Sequence, residues 1–183
     1  MPSTPGAQGR TRYTRAAVWM HWLIALALFG QIAFGFLLDE IAPRSTPARS
    51  GVINLHKSCG IVLGLLIVAR LAWRLFHAPP AWPPAMGPVE RRAARAVHAA
   101  LYACMALMPL SGYVASNFSR FGISFFGFAW SPWGAPLPSV YAFFNGVHIG
   151  TAFVFCTLIA GHVLAALKHA VVDRDGVFAR ILM

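Results

Sequence analysis

Seven histidines stand at positions 21, 56, 77, 98, 148, 162 and 169, and only His77 falls clearly outside the long apolar stretches. An ionisable ring inside a bilayer is costly and marks a functional position by default. His148 and His162 are 14 residues apart. On a helix that is about 21 Å along the axis and within about 40° of the same direction. Both therefore face one interior, one near each membrane surface. By depth His148 can meet His56, and His162 can meet His21. Imidazoles from facing helices can hold a haem iron from both sides, which leaves no open axial position and favours outer-sphere electron transfer. His98 lies at a depth that also allows it to meet His21, so the inner pairing has two solutions at this point. His169, beside Lys168, reads as interfacial or close to a second substrate.

Other metal chemistry fits less well. Cys59, Cys104 and Cys156 are far apart in apolar surroundings, without C-x-x-C spacing, so neither a disulfide framework nor a zinc site is expected. No C-x-x-C-H occurs, which excludes covalent haem attachment. No acid lies inside an apolar stretch, which weakens zinc and a proton-coupled metal transporter alike.

The elements that must position these rings are membrane helices. The chain has 183 residues, 58% hydrophobic and 11% charged, far from the composition of a soluble domain. Four stretches are long enough to cross a bilayer, at about 17–38, 52–76, 93–116 and 140–167. The expected fold is all-α and integral to the membrane, a four-helix bundle holding two stacked haems. Residues 1–12 are expected to form a disordered tail and 13–183 a single domain. The first span is longer than a signal-peptide core and lacks a small-residue cleavage site, so it is expected to be retained. Pro79, Pro80, Pro83, Pro84 and Pro88 make the middle connector stiff and non-helical.

Eleven of the 15 Lys and Arg residues sit in the two tails and the middle connector. The positive-inside rule then puts both termini and that connector in the cytoplasm. This distribution accounts for the net charge of +10 without a nucleic-acid partner. The loop from Asn117 to Ser139 carries Phe118, Phe121, Phe125, Phe126, Phe128, Trp130 and Trp133. It reads as an aromatic belt at the outer interface, or as a lid over something beneath it. Lys57 and Arg120 are the outer cations, suited either to steering an anion or to pairing with haem propionates or lipid phosphates. Gly60, Gly64, Gly146, Gly150 and Gly161 allow close approach, of a flat cofactor or of a neighbouring helix. Gln31, in mid-span, suits an interhelical hydrogen bond.

His21-Trp22, Leu55-His56-Lys57-Ser58-Cys59-Gly60, Arg70-Leu71-Ala72-Trp73-Arg74 and the run from His148 through Gly161-His162 to His169 together resemble the bacterial cytochrome b561 family, from Tyr13 onward. The resemblance implies two non-covalent haem b groups in an inner-membrane bundle. It implies iron ligands at His21 and His162 for the inner haem and at His56 and His148 for the outer, with His98 a non-ligand. It implies a stand-alone, quinone-linked carrier, in some members oxidising superoxide at the outer face and reducing ubiquinone. Quinone contacts are expected among His98, His169, Arg70 and Arg74. Longer relatives imply the rival reading, a haem b anchor subunit of a hydrogenase or formate dehydrogenase. A haem-free transporter is the remaining alternative.

Overall fold

The computed structural model describes residues 12–84 and 86–182. The tail expected to be disordered lies, up to residue 11, outside the described residues. Helix α1 spans Arg15–Phe36, the short α2 Leu38–Ile41, α3 Arg49–Phe76, α4 Pro88–Asn117 and α5 Pro138–Lys168. The four long helices are each long and apolar enough to cross a membrane, at the positions the apolar stretches indicated. α1 packs on α3, α3 on α4, and α4 most extensively on α5. α1 and α5 meet through side chains such as Phe36 and Phe153, with ring centres 5.4 Å apart.

Local chemistry sets the helix ends. The Thr14 hydroxyl accepts from the Ala17 N–H at 3.2 Å and caps α1. α4 begins about a turn earlier than the apolar stretch, at Pro88, so Arg91, Arg92 and Arg95 belong to its first two turns. Proline at the first helical position is tolerated because its missing N–H would be unpaired there anyway. The Glu90 carboxylate accepts from the Gly87 N–H at 3.1 Å and completes that end.

The interior is small. Ile24, Leu63, Ile67, Cys104, Met105 and Phe155 form its buried cluster. Large apolar side chains such as Leu26, Phe29, Leu65 and Phe143 point outward, as lipid-facing positions should. Lipid removes the usual hydrophobic drive, so close van der Waals fit holds the helices together. At the α3–α4 contact a Cβ on Gly64 would stand 3.2 Å from the Pro109 side chain. This is helix packing, one of the two roles expected for that glycine.

The aromatic loop contains an element that composition concealed, a hairpin of β1 (Ile123–Phe125) and β2 (Phe128–Trp130). Phe126 and Gly127 turn it with φ of 46° and 94°, the left-handed pair of a type I′ turn. The hairpin is fastened to the first turns of α3. Ser58, fully buried, accepts from the Phe126 N–H at 2.9 Å. Asn54 accepts from the Ser124 N–H at 3.3 Å, and Lys57 donates to the Gly122 carbonyl at 2.7 Å. Phe121, Phe128 and Trp133 stay exposed, so the loop covers the N-terminal end of α3 and presents aromatic rings at the same time.

Candidate functional site

Two groups of histidines lie between the helices, one toward each end. In the first, His56 on α3 and His148 on α5 stand with ring centres 6.3 Å apart and planes at 89°. His148 donates through Nδ1 to the Met108 carbonyl at 2.9 Å. That fixes its tautomer and leaves Nε2 as the bare nitrogen, the arrangement typical of a metal-bound histidine. Nδ1 of His56 is buried and has no partner. Gln31 donates from Nε2 to the His56 carbonyl at 2.6 Å, the interhelical bond its mid-span position suggested.

Glycines make these contacts possible. Gly60 follows His56 by four residues and Gly112 follows Met108 by four. A side chain at either place would shield the carbonyl one turn before it from a lateral donor. A Cβ on Gly60 would lie 3.3 Å from the Gln31 amide nitrogen, and one on Gly112 would lie 3.0 Å from His148 Nδ1. A Cβ on Gly35 would lie 3.1 Å from the His56 ring. Gly35 and Gly112 were not singled out from sequence, because their partners sit on other helices. By contrast Gly146 and Gly150 lie two residues either side of His148, about 200° around the helix. With Gly161 they are exposed, and an added Cβ would meet nothing within 4 Å. They do not shape the space around His148.

The second group contains His21, His98 and His162. His98 and His162 have ring centres 5.4 Å apart, and His21 lies in the same part of the bundle. One arm of Arg70 donates to the Ala17 carbonyl at 3.1 Å and the other lies 3.4 Å from His21 Nδ1. The Arg74 guanidinium lies over the Tyr102 ring, 5.2 Å from its centre. The other sequence candidates are placed apart. His169 donates to Asp175 at 2.7 Å and lies 3.2 Å from Asp173, in a knot with Lys168 that closes the end of α5. Lys57 holds the hairpin, and Arg120 is exposed beside Phe121, 5.7 Å from its ring centre.

These residues fit a haem. A metal–imidazole bond of about 2.0 Å on each side of one ion, with about 1.1 Å more to each ring centre, separates the rings by about 6 Å. The 6.3 Å at His56 and His148 agrees with this. The buried Nδ1 of His56 has no hydrogen-bond partner, and the Nδ1 bond of His148 leaves its Nε2 free to ligate.

Four membrane-spanning helices with interior histidines at two depths define a class, helical membrane proteins built to carry a redox group between their spans. The chain matches the prokaryotic cytochrome b561 family over residues 12–183 and belongs to it. It is similar to Cytochrome b561 homolog 2 of Escherichia coli (strain K12), 33% identical over 174 residues, 93% of this chain and 91% of that protein. Cytochrome b561 homolog 1 of the same strain is 26% identical over 172 residues, 93% and 97% of the two chains. A probable superoxide oxidase CybB of Yersinia pestis is 27% identical over 179 residues, 93% and 96%. The protein is thus a transmembrane electron carrier of a bacterial membrane, and its family implies haem b.

Proposed function

We propose that the chain holds two haem b groups and passes electrons from superoxide at the outer face to ubiquinone. His56 and His148 hold the outer haem; His21 and His162 hold the inner. Residues 13–183 act as one domain with both termini in the cytoplasm, as the placement of Lys and Arg supports. The observation that carries the reading is the His56–His148 pair, 6.3 Å between ring centres with His148 oriented by the Met108 carbonyl. The gathering of His21, His98 and His162 supports a second site. Superoxide as donor draws support from the name of the Yersinia pestis relative.

When bound, a bis-histidine haem supplies a one-electron couple with no open coordination position. The protein does the rest. Met108, Gly112, Gln31 and Gly35 hold the outer rings in place. The hairpin covers the outer end of α3, and Lys57 and Arg120 make that face attractive to an anion. Two superoxide ions each give up one electron and leave as dioxygen. Those two electrons and two cytoplasmic protons convert one ubiquinone to its quinol, with His98 as the candidate proton carrier. The name of the CybB relative, a probable superoxide oxidase, supports this carrier over an anchor subunit.

The test is the reduced-minus-oxidised visible spectrum of the purified chain with haem counted per polypeptide, followed by superoxide-driven ubiquinone reduction. Two haems per chain are expected, about half lost in H56A or H148A. Colourless protein, bound zinc, or haem lost only in H98A would overturn the reading.

A further inference from the structure

Arg70 is a half-buried cation within the spanning helix α3, and Arg74 follows one turn later. Both line a groove between α1, α3 and α4, together with Tyr13, Trp73 and Tyr102. The chain has five acids. Asp39 pairs with Arg44 and Arg49, Glu90 and Asp173 with Lys168, and Asp175 with His169. Glu40 sits in α2, before α3 begins. Among the described residues Arg70 and Arg74 have no carboxylate partner: Arg70 is held by the Ala17 carbonyl and Arg74 lies over the Tyr102 ring, which leaves both charges open to an anion.

His21 sharpens the point. A guanidinium only donates, so the His21 Nδ1 that Arg70 approaches at 3.4 Å is the accepting nitrogen. A histidine that binds metal through Nε2 instead carries a proton on Nδ1. Arg70 must therefore leave Nδ1 when His21 takes up iron, and its charge then needs another acceptor.

We propose that Arg70 and Arg74 form an anion site for the propionate carboxylates of the haem held at His21, with Arg70 moving from His21 to a carboxylate as that haem binds. This rests on the reading that His21 and His162 hold a haem. A phospholipid phosphate offers the same chemistry at this depth, so the experiment separates the two sources.

The full chain, with haem bound, is titrated potentiometrically in nanodiscs of phosphatidylcholine alone and with phosphatidylglycerol. Loss of a positive charge disfavours the reduced iron. In R70Q and R74Q one of the two haem waves is expected to fall, its reduced-to-oxidised ratio at fixed potential dropping about tenfold, or about 59 mV. The other wave stays, R70K remains near the parent chain, and the shift is the same in both lipids. The propionate bending band of that haem in resonance Raman moves in R70Q and not in R70K. Two haems with neither wave moved in R70Q and R74Q would overturn the proposal. A parent wave that itself shifts when phosphatidylglycerol is withdrawn, with the propionate band unmoved in R70Q, would overturn the proposal and assign the site to an anionic lipid headgroup. If R70Q does not fold, R74Q and R70K decide. Fewer than two haems in the parent chain would sink the underlying reading instead.

Discussion

His148 donates through Nδ1 to the Met108 carbonyl at 2.9 Å, and the bond exists because Gly112, one turn beyond Met108, has no side chain to block it. In G112A the new Cβ would stand 3.0 Å from His148 Nδ1, tighter than nearly all Cβ contacts, so the ring has to give way. On the proposed two-haem reading, a ring displaced from the Met108 carbonyl lowers bound haem from two toward one per chain. Haem content by the pyridine haemochrome method checks this. G146A is the control, because its Cβ meets nothing within 4 Å, and it should keep both.

Gln31 ties α1 to α3 through the His56 carbonyl at 2.6 Å. Hydrogen bonds between membrane helices are worth about 0.6 kcal/mol on average and up to about 1.7. Q31L should lower the stability of the detergent-solubilised bundle by an amount in that range, read from thermal unfolding. An unchanged midpoint would mean that the carbonyl is satisfied by its own helix alone.

Ser58 serves two elements at once. Its hydroxyl accepts from Phe126 N–H at 2.9 Å and can donate to the Asn54 carbonyl at 2.7 Å or the Ser124 carbonyl at 3.2 Å. S58A leaves the Phe126 N–H without its partner, at a cost of about 1–3 kcal/mol. Amide exchange at Ser124 and Phe126 should rise by about tenfold or more, with the four long helices unaffected. Exchange that stays slow would show that Asn54 and Lys57 suffice to hold the hairpin.

The C-terminal segment should respond to acid. Burial pushes the Asp175 carboxyl up, but the Val177 N–H at 3.0 Å and the His169 ring at 2.7 Å outweigh it and hold its pKa below the ordinary value. A carboxyl depressed in the folded state stabilises fully above its unfolded pKa, about 3.9. That contribution is lost as pH falls through the lower folded value. The Trp22 indole donates to the Ile181 carbonyl at 2.9 Å, so tryptophan emission should change below about pH 4 as the segment loosens. D175N should already show the loosened signal at neutral pH.

Much of the architecture was legible in the chain. Four apolar stretches become four spans because a bilayer demands about 20 apolar residues of any helix that crosses it. The spacing of 14 between His148 and His162 set their shared direction, since helical geometry is local. Gln31 was legible too, because an amide in a bilayer has few alternatives to another helix.

Relations between helices were not. Sequence left His98 and His162 as rivals by depth for the place opposite His21, and only the packed bundle gathers all three toward one end. Gly35 and Gly112 gain their meaning from rings on other helices, while Gly146 and Gly150, adjacent in sequence to His148, turn away from it. The hairpin hid in a loop whose composition spoke of an interfacial belt or a lid but not of strands, because its anchors Asn54, Lys57 and Ser58 lie 65 to 70 residues earlier. Periodicity and hydropathy are properties of one helix at a time, so the chain alone determined which helices form and which way each faces. Which side chains meet depends on how helices rotate and close against one another, and tertiary packing alone decides that.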